Sequence, residues 1–244
     1  MTPAAAGRGL PVAAGAVAMA AAWAVLAGSS VGVPHQHAGA GGVSGFALAV
    51  VMWQAMVVAM MTPTVAPWIA AYVTFVSPGR TRPWQAAASF ASGYFAAWLA
   101  YSAGMAGVQV LAGRAESVRA VLASPAAAGV ALLAAGLYQF LPAKTACLTH
   151  CRNPIGFFLA RWRRGPTSGF RLGLAHGAYC LGCCWLLMAT ALALGLMNLA
   201  WMAVVTAIVV VEQLAPRGLA FGRVAGVALA AWGGWLLAAR WLAG

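Results

Sequence analysis

Acidic residues are what this chain has least of: there is no aspartate and there are two glutamates, Glu116 and Glu212, and charged residues of both signs make up 7% of the whole. A soluble domain carries roughly 25% charged residues, so no water-soluble surface can be built from this composition. Hydrophobic residues make up 64%, and apolar runs of about 20 residues, the length that spans a bilayer core, recur along nearly the whole chain. The sequence predicts an all-α polytopic transmembrane bundle of about six or seven spans. It forms one membrane domain over residues 1–244.

Against the two acids stand fourteen Lys and Arg, for a net charge of +12. In a soluble chain that balance would suggest nucleic acid. Here it has a topological meaning, because basic residues of membrane proteins collect in cytoplasmic loops and meet anionic lipid. Membrane lipid is the expected partner and nucleic acid is not.

The spans read as follows. Leu10–Gly28 is a first helix or, with its small-residue end, a signal peptide covering residues 1–29. Phe46–Phe75 follows, and its thirty residues would reach roughly 45 Å as one straight helix. That exceeds the ~30 Å hydrocarbon core, so a break is expected at Met60–Pro67, where Pro63 and Pro67 each remove a backbone donor. Further spans are Trp84–Leu111, Ala120–Leu141, Leu172–Leu196, Leu199–Leu214 and Val224–Leu242. Between them lies a long polar segment, Lys144–Arg171, expected to be a cytoplasmic loop. On this layout eleven basic residues fall inside and three, Arg114, Arg119 and Arg240, outside, as the positive-inside rule expects. A bacterial inner (cytoplasmic) membrane location follows.

Cysteine is scarce, at five residues, and the odd count argues against a disulfide framework. Three of them, Cys180, Cys183 and Cys184, nevertheless fall within five residues. Cys180, Cys184 and Met188 are spaced i, i+4, i+8 and stack on one helical face, giving a column of soft sulfur donors. Such donors favour Cu(I), with Zn(II) as the usual competitor for thiolates. Buried cysteines can also be plain small packing residues, but three in five residues exceed what packing asks for. His176, one turn before Cys180, extends the column.

Met52, Met56 and Met60 repeat the spacing on the second span, with Met61 beside them. If the two sulfur columns face each other, they form a path for a soft cation. Cys147 and Cys151 are also i, i+4, with His150 adjacent, and make a second candidate metal site. His35 and His37 flank Gln36 in an outer loop and could chelate a metal through their imidazoles. Glu212 is the one acid inside an apolar span, a functional candidate by its position, or a helix-end residue that pairs with Arg217 or reaches the interface. The Cys180/Cys183 spacing also suits a redox pair, although no thioredoxin-like pattern surrounds it.

The segments Met56–Pro67, Tyr138–Phe157, Gly173–Met188 and Gly195–Asn198, followed by Val211-Glu212, resemble an uncharacterised bacterial family of predicted metal-binding integral membrane proteins. The string GLAHGAYCLGCCW is the specific part. The resemblance implies metal binding by the cysteines and supplies no mechanism. Members carry lysine after the glutamate where this chain has Gln213, which puts a Glu/Lys pair in doubt.

Three functions remain: handling or transport of a soft ion, a transmembrane thiol-disulfide relay, and a structural or assembly subunit. No hydrolytic site is visible, so no enzyme is expected. A metallochaperone or partner membrane protein would exchange the ion.

Overall fold

The computed structural model describes residues 43–76, 82–163, 165–195 and 198–243, with 17, 19–24 and 28 before them. Among the described residues there are ten α-helices and no strand: α1 (Val43–Ala71), α2 (Pro83–Arg114), α3 (Glu116–Leu122), α4 (Pro125–Tyr138), α5 (Pro142–Cys151), α6 (Pro154–Arg161), α7 (Ser168–Ala189), α8 (Ala191–Leu194), α9 (Leu199–Leu214) and α10 (Gly218–Ala243).

Four stretches are long and apolar enough to cross a membrane: Val43–Thr74, Pro83–Arg114, Ser168–Leu194 and Gly218–Leu242. The pair α3 and α4, bent by 57°, brings the number to five when counted as one broken span. That is fewer than the six or seven expected. Most of Leu10–Gly28 lies outside the described residues, and α9, with 16 residues, is about 24 Å long, short of a ~30 Å core.

The expected break at Pro63/Pro67 does not occur. α1 runs through both prolines, and the irregular turn comes later, as a π-helix at Tyr72–Val76. A proline deprives the carbonyl four residues earlier of its donor. For Pro63 that carbonyl is Ala59, and it accepts the indole N–H of Trp23 at 3.1 Å instead. Two threonine hydroxyls bond back to the same stretch, Thr62 to the Val58 carbonyl at 2.6 Å and Thr64 to that of Met61 at 2.8 Å. At Pro63 the freed acceptor thus has a tertiary partner.

Glycine sets the closest helix contact. A Cβ at Gly173 would collide with the Phe90 carbonyl, and one at Gly93 with that of Phe170, so α2 and α7 can touch along their backbones only because both positions lack a side chain. Contacts of Phe90 with Gly173 and of Tyr101 with Trp185 make these two helices parallel. α1 runs against them, since Tyr72 meets Phe90 and Trp53 bonds to Gln109. α10 pairs antiparallel with α4 through Gly136 near Gly226 and Gly129 near Gly233. As a result Arg82 and Arg171 lie at one end of the α2–α7 pair and Arg114 at the other.

The segment expected as a polar loop is instead folded. α5 and α6 carry it back against α7, burying Lys144, Cys151, Phe157 and Phe158. Only α6 shows a pronounced apolar face, through which Phe157 and Phe158 pack edge-on to Trp68.

Candidate metal centre

On α7 the spacing of Cys180, Cys183 and Cys184 puts three side chains on one turn, and their sulfur atoms all lie within 4.8 Å of one another. All three are buried. Cys183 and Cys184 each donate a thiol hydrogen to the Cys180 carbonyl, at 3.0 Å. Cys180 lies 3.2 Å from the Tyr94 hydroxyl. Across the site, Gln213 of α9 donates its amide N–H₂ to Cys180 at 3.4 Å and to Cys183 at 3.7 Å.

The second pair of cysteines lies beside the first group. α5 runs antiparallel to α7, and the buried Cys151 turns its thiol toward Cys180 and Cys183. Its carbonyl accepts the Trp68 indole N–H at 3.2 Å. Cys147, half-buried, sits against Gly182, where a Cβ would stand 2.7 Å from its sulfur. The glycine inside Cys-Leu-Gly-Cys-Cys thus makes the room for a fourth helix segment, and the Tyr138 hydroxyl donates to its carbonyl. All five cysteines are free.

His176 is fully buried, one turn from Cys180. Its ring lies on Trp68 and is flanked by Tyr94 at 5.4 Å, and neither ring nitrogen has a partner. A buried polar group left without a hydrogen bond costs about 1–3 kcal/mol, so this imidazole is a donor atom in waiting. His150 is different. It is exposed, gives its Nδ1–H to the Ala146 carbonyl at 2.8 Å and stacks on Tyr179, which leaves Nε2 as the lone-pair nitrogen. His35 and His37 lie outside the described residues.

Met56, Met60, Met61 and Met188 are all buried. Trp68 on His176 and Tyr72 beside Gly169 fix the antiparallel register of α1 on α7.

Glu212 does not pair with Arg217. Its Oε2 accepts from Lys144 Nζ at 2.8 Å, with both side chains no more than 3% exposed, while Oε1 has no partner. Arg152 fixes the end of α9 by donating to the carbonyls of Glu212, Ala215 and Pro216. The doubt raised by Gln213 is resolved by geometry: the lysine comes from α5 and Gln213 faces the thiols. Sequence reasoning missed Tyr94, Trp68 and Lys144. Lys144 carried a signal, being the chain's single lysine; the other two carried none.

Three clustered thiols with a fourth facing them, an unpartnered imidazole and nearby thioethers form a soft donor set in an apolar interior, a set that suits thiophilic ions such as Cu(I) and Zn(II). No curated protein and no solved structure matches the chain. A family model does, that of PpoB2, described as a copper chaperone, which is not an enzyme family, over residues 50–236. Those residues hold every described element from α1 to most of α10, and on that match the chain belongs to the PpoB2 copper chaperone family.

Proposed function

We propose that this multi-pass membrane protein takes up Cu(I) at the Cys180, Cys183 and Cys184 thiolates and passes it along the bundle by exchange of sulfur ligands. The observation that carries the reading is the mutual approach of three buried sulfurs within 4.8 Å, in a chain of copper chaperone type. Two-way exchange has a ready path. On one side are His176, Cys151, the half-buried Cys147 and the exposed His150. On the other are Met188, Met60, Met61 and Met56. Each step trades one soft donor for another, so the ion is never stripped bare in a dry medium.

The charge distribution supports a bacterial inner-membrane setting with the Arg82 and Arg171 end in the cytoplasm. Cys147 and His150 then serve a cytoplasmic metallochaperone or partner membrane protein, and the methionines serve the outer side with His35 and His37. Zn(II) is the competing ion; thioethers, which it binds poorly, favour Cu(I).

A thiol-disulfide relay is the weaker reading. Cys180, Cys183 and Cys184 are each at most 1% exposed, and disulfide exchange needs attack by an accessible thiolate.

The test is a Cu(I) titration of purified protein against a chromophoric competitor, with free thiols counted alongside. Wild type should hold Cu(I) with its thiols reduced, and a Cys180→Ser/Cys183→Ser/Cys184→Ser variant that folds should lose it. Full copper retention in that variant refutes the site.

A further inference from the structure

Two polar side chains stand on the outside of the bundle around one tyrosine. His150, exposed on α5, stacks on Tyr179 with ring centroids 4.4 Å apart. Arg161, exposed at the end of α6, holds its guanidinium 5.0 Å from the centre of the same ring and 5.6 Å from that of Phe157, and donates to the Tyr179 hydroxyl. Tyr179 therefore marks the depth of both.

That depth follows from the length of the span. Ser168–Leu194 is one of the stretches able to cross a membrane, and its far end, Leu194, lies about 22 Å along the helix from Tyr179. Tilt or bending only shortens that reach. A hydrocarbon core of ~30 Å must then extend at least roughly 8 Å past Tyr179 toward Ser168. Helical side chains lean toward the N-terminus by about one turn, ~5.4 Å, which still leaves the ring inside the core.

Arginine keeps its charge in every protein environment. Ionisable side chains within a membrane pair with another group or face a water-filled cavity, and they do not face lipid. Water suits this face poorly. Ile155 and Leu159, on the same helix as Arg161, are 65% and 80% exposed, and Leu174 of α7 is exposed as well. A polar centre among apolar neighbours is the make-up of a helix-packing surface in a membrane. A second copy in the same orientation cannot supply the missing anion. Of the chain's two acids, Glu212 is buried against Lys144, and Glu116 stands beside Arg119 just past the Arg114 end of α2.

We infer that this face docks a transmembrane helix of a different protein, one that presents a carboxylate to Arg161 beside His150. Charge complementarity names the partner's chemistry: Arg161 is held in place by two aromatic faces, and α5, α6 and α7 carry no acid to neutralise it. The docked helix would lie one turn of α5 from Cys147, the half-buried thiol of the exchange path. Of the two kinds of partner named above, this depth selects the membrane protein. The docking site rests on the membrane reading alone. That the partner exchanges copper rests on the proposed function, which the copper titration tests separately.

The experiment measures energy transfer in lipid vesicles between the fluorescently tagged full chain and a synthetic transmembrane peptide. The peptide is an alanine–leucine helix of about 20 residues with one glutamate at the depth of Tyr179, and its control carries glutamine there. Wild type should bind the glutamate peptide roughly tenfold more tightly than the glutamine peptide, a comparison that needs no variant. Arg161→Met should lose that preference, and Arg161→Lys should keep part of it. Equal affinity of wild type for both peptides overturns the proposal, leaving lipid or water over Arg161. A preference that survives in Arg161→Met overturns it too, since the carboxylate then pairs elsewhere. Transfer between tagged copies without peptide, abolished by Arg161→Met, would replace the foreign helix by a second copy. None of these results bears on whether the thiols bind Cu(I).

Discussion

The imidazole of His176 lies nearly flat on the indole of Trp68, ring centroids 3.8 Å apart and planes tilted by 21°, with no hydrogen bond to either nitrogen. An aromatic stack alone would be served as well by phenylalanine. His176→Phe should therefore keep the fold, within about 1 kcal/mol, yet weaken Cu(I) binding by roughly tenfold or more, the scale on which lost supporting groups cost a metal site. Competition titration beside a thermal melt checks it; unchanged affinity would make His176 a packing residue.

Gly182→Ala tests how α5 seats on α7. The new methyl would stand 2.7 Å from the Cys147 sulfur, so that side chain must move, at a cost of about 1–3 kcal/mol for an overpacked contact. Alkylation of Cys147 should speed up, while copper bound at the three α7 cysteines stays. Slow alkylation, unchanged from wild type, would count against the contact.

Breaking the buried ion pair should cost more than deleting it. Lys144→Met alone strands the Glu212 carboxylate and should destabilise the protein by about 3–5 kcal/mol, whereas Lys144→Met/Glu212→Gln should recover most of that loss. Unfolding midpoints in mild denaturing detergent give the comparison. Equal losses in both variants would show that the two charges are not coupled.

Met56→Leu/Met60→Leu conserves volume and should cost less than about 1.5 kcal/mol per site. Copper at the thiols should remain, and its release toward the methionine side should slow. Stopped transfer to an acceptor on the Cys147 side instead would reverse the assignment of the path.

Much of the fold was legible because it follows from composition. Too few charges and recurrent apolar runs leave long apolar helices as the form the chain can take, and such helices are what the structure shows. The fate of Pro63 was not legible. Its effect on α1 depends on whether the Ala59 carbonyl finds another donor, and that donor is the indole of Trp23, 36 residues away. The Lys144–Arg171 segment misled for a related reason: its basic residues at the surface masked Leu148, Cys151, Phe157 and Phe158, which pack inward.

By itself the sequence determined the soft-donor chemistry. Cys180, Cys183 and Cys184 meet on one turn whatever surrounds them, because helical periodicity brings i, i+3 and i+4 together. Tertiary structure decided what that turn faces. α5 brings Cys147 and Cys151 to the cluster instead of leaving them apart, α9 brings Gln213 to the thiols, and the partner of Glu212 is Lys144, 68 residues earlier, not the nearby Arg217. Such pairings depend on how helices distant in the chain seat against one another, and that is set by the close approaches at Gly93, Gly173 and Gly182, where a missing side chain leaves space that only the packed bundle fills.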